Sequence, residues 1–521
     1  VVIVACLFSF VLENTGARGP IGHDDAGSRA DGGDFGPTRK GYALPCADES
    51  TRTQEALETL ARITEAYLEQ ESDGGPVQPV SPNRARAELP IALNDEGVGE
   101  DEAMERLRRV VLATPTTGGP RFVNQLFAGR EPVAVVAEML TALMNNSMYT
   151  YKAAGPMVLI EREVMERMLA KAGMVGGGGM FAPGGSMSNL AAMIAGRNEV
   201  CGLGRDQGFD GAKKTLYFSA EGHYSITKNA MMMGLGREHV RAVEADETGA
   251  MRPEALAAAI EADRAAGLDP MMVVATSGTT VMGAFDPLEP MADVCEREGL
   301  WLHVDGAYGG SALMHPEHRS KLAGLERADS FTWDAHKVMG VPLTCSVALT
   351  RDPDLMQRHF DESADYLFQQ HFDEDAGWMT PGIRSLQCGR RNDALKLWAL
   401  WQSLGDDGFA DRVGRQVSLA RHAGEAVKGD DRLRLSFEPG WLAVCFEVVG
   451  KSSVDICARL NEAGTLKVGY GLVHGRRVIR LVTLNPEHDT DDIERMISDI
   501  AEAGETLPDR GESVNEYAPQ G

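Results

Sequence analysis

ADSFTWDAHKVMGVPLTCSVALT, residues 328–350, places a lysine between two runs that read as buried strands. An aromatic and β-branched run leads into Asp334-Ala335-His336-Lys337. A loop with Gly340 and Pro342 follows, and a second apolar run spans Cys345 to Leu349. Burying an unpaired ammonium is costly, so a lysine in such a place is most useful as a neutral amine, a nucleophile. Its natural use is a Schiff base to an aldehyde-bearing cofactor, with His336 beside it to carry protons. Taken alone, Lys337 reads equally as a surface-loop lysine.

Outward from this stretch, further polar clusters stand at the ends of apolar runs. LWLHVDGAY, 300–308, is a strand that ends in Asp305 and opens into a small-residue turn containing Ala307. In open α/β sheets, carboxylates at the carboxyl ends of parallel strands face the ligand crevice. FAPGGSMSNLAAMIAGR, 181–197, runs from a glycine loop into a helix expected from about Met187. Its N–H groups and the Ser186 and Ser188 hydroxyls suit a phosphate. TLYFSAEGHY, 215–224, presents His223, and ATSGTTVMGAFD, 275–286, presents Thr279 and Thr280.

FAPGGSMSN, EGHYSI, TSGTTVMGAFDP, HVDGAYGG, DAHK and SLQCGRRNDALKLW, in this order, resemble the group II pyridoxal-phosphate decarboxylases. The resemblance covers roughly residues 91–503. It is closest to the acidic branch, which holds the glutamate, cysteine sulfinate and aspartate decarboxylases, and within that branch to the cysteine sulfinate enzymes. It implies an α/β fold of the aspartate-aminotransferase type (fold type I), with a mainly parallel seven-stranded large domain and a small α+β C-terminal domain. The implied cofactor is pyridoxal 5'-phosphate. Carried over by motif position, Lys337 holds the cofactor, Asp305 pairs with its ring nitrogen and His223 stacks on the ring. His336 is a further catalytic candidate. Gly185, Ser186, Met187, Ser188, Thr280 and Ala307 complete the cofactor set, and Gln125, Phe127, Ser147 and Arg480 form the substrate set. No metal is implied.

Two departures from the family stand out. Asp334-Ala335 replaces the usual Asn-Pro or Asp-Pro before His-Lys, and an ionised Asp334 near a phosphate is expected to turn away or bond to backbone. After Tyr366-Leu367-Phe368-Gln369 the loop lacks the further tyrosine that protonates the substrate carbon in relatives. At substrate positions, NQLFAG resembles the cysteine-sulfinate pattern NQLFSG more than the glutamate pattern NQLSTG. Ser147 matches the former branch again, and Lys152 stands where both branches usually carry glutamate. The implied substrate is cysteine sulfinate or aspartate, with glutamate as the alternative. A non-catalytic homologue is the alternative of another class, disfavoured because a binding scaffold needs no imine lysine.

The 521 residues carry 51 basic and 77 acidic side chains, a net charge of −26. Nucleic acid is thereby a poor partner, and an acidic substrate needs a local cationic site. The eight cysteines show no CxxC pair and read as free thiols of a reducing, cytoplasmic compartment. His315-Pro-Glu-His318 lacks further ligands and reads as a solvated loop.

VVIVACLFSFVLE, 1–13, is too short to span a bilayer, and no stable membrane insertion is expected. It reads either as a targeting remnant, which would imply an organelle, or as sequence upstream of the true start. The segments expected are an extension at 1–49, N-terminal helices at 50–144, a large cofactor domain at 145–405, a small domain at 406–507 and a frayed tail at 508–521. Ser50-Thr51 reads as a helix N-cap. In the family such N-terminal helices clasp a second subunit, implying a homodimer, whereas their physical pattern alone gives a helical lid. The polar stretch 361–384 reads as a long surface loop.

Overall fold

The computed structural model describes residues 49–72, 80–127, 129–203, 207–362 and 379–517. The chain divides into two compact units, with Thr116 opening the larger one. Residues 116–144, grouped above with the N-terminal helices, therefore belong to the larger unit. In the smaller unit three helices are described: α1 (Glu49–Ser72), α2 (Pro82–Glu88) and α3 (Glu100–Leu112). Ser50 and Thr51 lie inside the first turn of α1 rather than capping it. Ser81 does cap α2, its hydroxyl accepting the Arg84 N–H.

The larger unit opens with α4 (Pro132–Met144) and α5 (Met157–Lys171). An α/β run follows: β1 (Gly178–Ala182), α6 (Gly185–Val200), β2 (Lys214–Ser219), α7 (Ser225–Met232), β3 (Val240–Val243), α8 (Pro253–Ala265) and β4 (Asp269–Thr276). It continues with α9 (Leu288–Glu298), β5 (Trp301–Asp305), β6 (Ser330–Asp334) and β7 (Ser346–Thr350). These strands form one sheet of order β1-β7-β6-β5-β4-β2-β3. The pairs from β3 through β6 are parallel, and β7 runs antiparallel to β6 and β1. The β6–β7 connection, 335–345, is too short for the crossover that a parallel pair needs, so β7 must reverse.

The five strands expected from apolar runs are β2, β4, β5, β6 and β7. Their residues are almost wholly buried because helices cover both faces of the sheet. Phe331 and Trp333 of β6 are fully buried in the main core. Truncating either to alanine removes roughly 3–5 kcal/mol of packing.

Two helices meet at a kink at Gly405, whose backbone is non-helical (φ 62°, ψ −171°), and are numbered together as α10 (Ala394–Lys428). Beyond it lie β8 (Leu433–Leu435), β9 (Ala443–Val448), α11 (Ser453–Ala463), β10 (Gly469–Val473), β11 (Arg476–Val482) and α12 (Thr490–Glu505). Their sheet has order β10-β11-β9-β8 and is antiparallel throughout. Its own core gathers Phe446, Ile456, Ile479 and Ile493. The expectation of a frayed tail is corrected as far as Tyr517. Asn515 is buried and its side chain bonds Glu447, the Lys451 carbonyl and the Ser453 N–H, which ties the tail to the second sheet.

Candidate active site

The carboxyl ends of the central parallel strands converge on one cavity of about 220 Å3. Thr276 ends β4, Asp305 ends β5, Asp334 ends β6, and the turn after β2 brings in His223. All four residues line the cavity, with Gly185, Ser186, Thr280, Ala307, His336 and Lys337. Seven of the nine expected cofactor residues thus meet in one place, together with His336.

Met187 and Ser188 do not line it. Both of their N–H groups bond the Gly184 carbonyl, because α6 begins at Gly185 and its first turn is already closed there. The Ser188 hydroxyl, wholly buried, lies 2.6 Å from the Ser346 hydroxyl. At the positive end of α6 this leaves Gly185 and Ser186 lining the cavity. A Cβ at Gly185 would sit 2.5 Å from an Asp334 oxygen, so only glycine lets the helix approach β6 this closely.

Asp334 departs from expectation. Its side chain lies against Gly185 at the start of α6 and, among the described residues, bonds to no backbone group. It accepts the Ser346 hydroxyl at 2.5 Å and faces Lys337 Nζ at 3.4 Å and His336 Nε2 at 3.6 Å. A carboxylate this buried survives because a cation, a hydroxyl donor and a helix N-terminus surround it.

His223 Nδ1 accepts the Ser225 N–H at 3.3 Å and lies 2.7 Å from the Ser225 hydroxyl. An atom accepting a backbone N–H carries no proton, so the ring's hydrogen is on Nε2. Burial lowers the pKa of His223 against the pull of Asp305, and burial lowers that of His336 as well. Both rings are therefore neutral at neutral pH.

Asp305 accepts the Ala307 N–H at 3.1 Å and the Asn189 amide at 2.8 Å. Behind it, His303 is fully buried, and burial pushes its imidazole down to about 4 against the opposing effects of Asp305 and the Ser330 main chain. The unfolded chain takes up that proton near pH 6.5. As pH falls from 6.5 towards 4 the unfolded state is therefore favoured, by roughly 3 kcal/mol in total. The cofactor-free protein is expected to lose melting temperature over this window, with a shallower slope in His303→Gln. Equal slopes in the two proteins would show that His303 is not the source.

Of the substrate candidates, none lines the cavity. The Arg480 guanidinium donates to the Thr280 and Asn124 carbonyls at 2.6 and 2.5 Å, and its Nε has no partner among the described residues. Ser147 accepts the Arg390 N–H through its hydroxyl, Phe127 packs with Phe122 at 6.0 Å between ring centroids, and Gln125 is exposed. The loop residues Tyr366 to Gln369 lie outside the described residues. Asn189, Ser225, Gly278 and Tyr308 also line the cavity, although the sequence reading gave them no role. Asn189 was within reach, since it closes the quoted FAPGGSMSN motif.

A mixed sheet with chemistry at its strand ends and a lysine facing a buried carboxylate define a pyridoxal-phosphate enzyme of fold type I, a class the comparisons support. The profile of the pyridoxal-dependent decarboxylase conserved domain matches residues 82–449. Cysteine sulfinic acid decarboxylase of Mus musculus is 40% identical over 447 residues, covering 82% of this chain and 90% of the relative. Acidic amino acid decarboxylase GADL1 of Bos taurus is 37% identical, covering 82% and 85%. The crystal structure of mouse CSAD superposes with a TM-score of 0.83 at 36% identity, over 88% of this chain and all of that one. Oryza sativa TDC, solved with PLP and tryptamine, gives a TM-score of 0.80 at 25% identity, over 89% of this chain and 99% of that one.

The chain belongs to the pyridoxal-dependent decarboxylase family. It is an amino-acid decarboxylase that works with pyridoxal phosphate. The cavity fits that cofactor on its own chemistry. It offers an amine, a buried carboxylate held by two N–H donors, a neutral flat imidazole and a helix N-terminus without a Cβ in the way. Among the described residues no helix is long and apolar enough to cross a membrane.

Proposed function

We propose that the chain decarboxylates a small acidic L-amino acid, cysteine sulfinate or aspartate in preference to glutamate. The observation that carries the site assignment is the convergence of Lys337, Asp305, His223 and the start of α6 on one cavity. Bound pyridoxal phosphate supplies an electron-withdrawing ring that accepts the electron pair left when carbon dioxide departs. Lys337 would supply the amine that holds the cofactor. Asp305 keeps a proton on the ring nitrogen. A neutral His223 would face the ring without adding a second positive charge beside it. Gly185 and Ser186 hold the phosphate at the α6 N-terminus. Arg480 would serve the substrate α-carboxylate only by releasing the Thr280 and Asn124 carbonyls, since its guanidinium does not line the cavity and its Nε is buried.

The substrate class rests on the names of the relatives and on Phe127 and Ser147. A phenylalanine at 127 takes up volume that the extra methylene of glutamate needs, a difference worth roughly 1–3 kcal/mol, or about 10–200-fold. Cysteine sulfinate or aspartate is therefore expected to exceed glutamate in kcat/KM by such a factor, and Phe127→Ser with Ser147→Asn to shift preference towards glutamate. Parallel kinetics on the three acids decide it. Best activity on glutamate in the unaltered enzyme would overturn the substrate assignment alone.

A homodimer is part of this reading. Val133, Leu140, Leu143 and Met144 are exposed on α4, and 133, 140 and 144 follow a helical stripe that a second copy would cover. Sedimentation is expected to give a dimer. A fully active monomer would contradict it.

A further inference from the structure

Behind Asp305 a hydrogen-bond chain runs along one face of the sheet. Trp301 Nε1 donates to Ser330 Oγ at 3.0 Å, and His303 Nδ1 lies 2.9 Å from the same oxygen. His303 Nε2 lies 2.9 Å from Asn189 Oδ1, and Asn189 Nδ2 donates to Asp305 Oδ2 at 2.8 Å. All five side chains are buried. Trp301, His303 and Asp305 alternate along β5 and so share one face, and Ser330 is the register partner of His303 on β6. Helix α6 lies against that face. A Cβ at Gly196 would sit 2.7 Å from the Trp301 indole nitrogen, and Asn189, two turns earlier on the same side of α6, reaches His303 and Asp305.

The two ends fix the polarity of the chain. An indole N–H only donates and an ionised carboxylate only accepts. Asn189 must turn its amide nitrogen to Asp305 and its oxygen to His303, because the flipped amide would set oxygen against carboxylate. His303 must then carry its hydrogen on Nε2. Its Nδ1 is left to accept the Ser330 hydroxyl proton, while the Ser330 oxygen accepts from Trp301. The low basicity of the buried His303 ring agrees with a neutral imidazole.

We propose that Asn189, His303 and Ser330 are positioning residues that act through Asp305. Every bond in the chain points its donor towards the carboxylate, which orients Asp305 and favours its charged form, the form able to hold a proton on the ring nitrogen. The proposal rests on the role of Asp305 argued above. It assigns function to three residues of which only Asn189 lines the cavity.

The first test uses cofactor-free protein. Imidazole nitrogen NMR, with His303→Gln to identify the resonance, is expected to show His303 as the Nε2–H tautomer with no titration between pH 5.5 and 8. An Nδ1–H tautomer, or titration near 6.5, would overturn the chain's polarity. The second test uses holoenzyme. Ser330→Ala is expected to lower kcat about tenfold, the lower end of what outer-shell partners contribute at ligand-orienting sites, with substrate KM within about twofold by the same reasoning. Ser330→Thr, which restores the hydroxyl, is expected to recover most of the loss.

In an Asp305→Asn background, Ser330→Ala is expected to cost nothing further. A second tenfold loss there, or failure of Ser330→Thr to recover activity, would reduce Ser330 to a packing role. Near-normal activity in Asp305→Asn alone would remove Asp305 from the mechanism and this proposal with it, and the NMR result would still report whether the chain exists.

Discussion

Lys337→Ala is expected to lose the visible absorption of lysine-linked cofactor after dialysis and to lose turnover by about a thousandfold or more, at least 4 kcal/mol of barrier. Its amine faces the cavity with Asp334 at 3.4 Å, on a loop pinned where Arg412 donates to the Val338 carbonyl. Alanine removes the nucleophile and the cation facing Asp334, while the Arg412 contact, the Ser346 hydroxyl and the start of α6 still hold the loop, so the protein is expected to fold. The phosphate contacts and Asp305 would still favour cofactor binding, but without a covalent link. Persistence of the absorption band would move the attachment to another residue, and the rest of the site assignment would need rebuilding around it.

Asp305→Asn is expected to retain cofactor but to slow decarboxylation by on the order of a hundredfold or more, a few kcal/mol. The carboxylate accepts from the Asn189 amide and the Ala307 N–H, so it is already oriented before anything binds. An asparagine there can keep one of those bonds. It cannot hold a proton on the ring nitrogen, and the ring then loses much of its pull on the departing electron pair. Activity within a few-fold of the unaltered enzyme would exclude Asp305 from the chemistry.

What could be read from sequence follows from how each element is stabilised. The strands β2, β4, β5, β6 and β7 announce themselves because both of their faces are covered, which leaves continuous apolar runs. Strands β1 (GGMFA) and β10 (GYGLV) do not, since glycine weakens strand propensity. They exist through pairing: β1 lies in register on β7, Gly179 opposite Leu349, and β10 lies on β11, Gly469 opposite Arg480. Helix α10 breaks at Gly405, whose backbone is non-helical, where the local pattern marks a stop.

The site divides in the same way. Asp305, His223, Thr280 and Lys337 stand at strand ends or in the turns after them, where chain order fixes their place, and all four line the cavity. Ser188 does not line the cavity, because the direction of a hydroxyl on a helix depends on what the helix lies against, here Ser346. The chain through Asn189, His303 and Ser330 joins one helix to two strands. Its only trace in the sequence is the alternation of Trp301, His303 and Asp305 along one strand, polar groups recurring on a face that should be dry. Asp334 was misjudged by weighing it against a phosphate alone, without the cation, the hydroxyl and the helix end that surround it.

The most direct test of the central claim is carbon dioxide release from L-cysteine sulfinate, L-aspartate and L-glutamate in parallel, with and without added pyridoxal phosphate. Release that depends on the cofactor, is fastest on one of the two shorter acids and is abolished in Lys337→Ala is the predicted result. No release from any of the three by protein that has bound cofactor would contradict it.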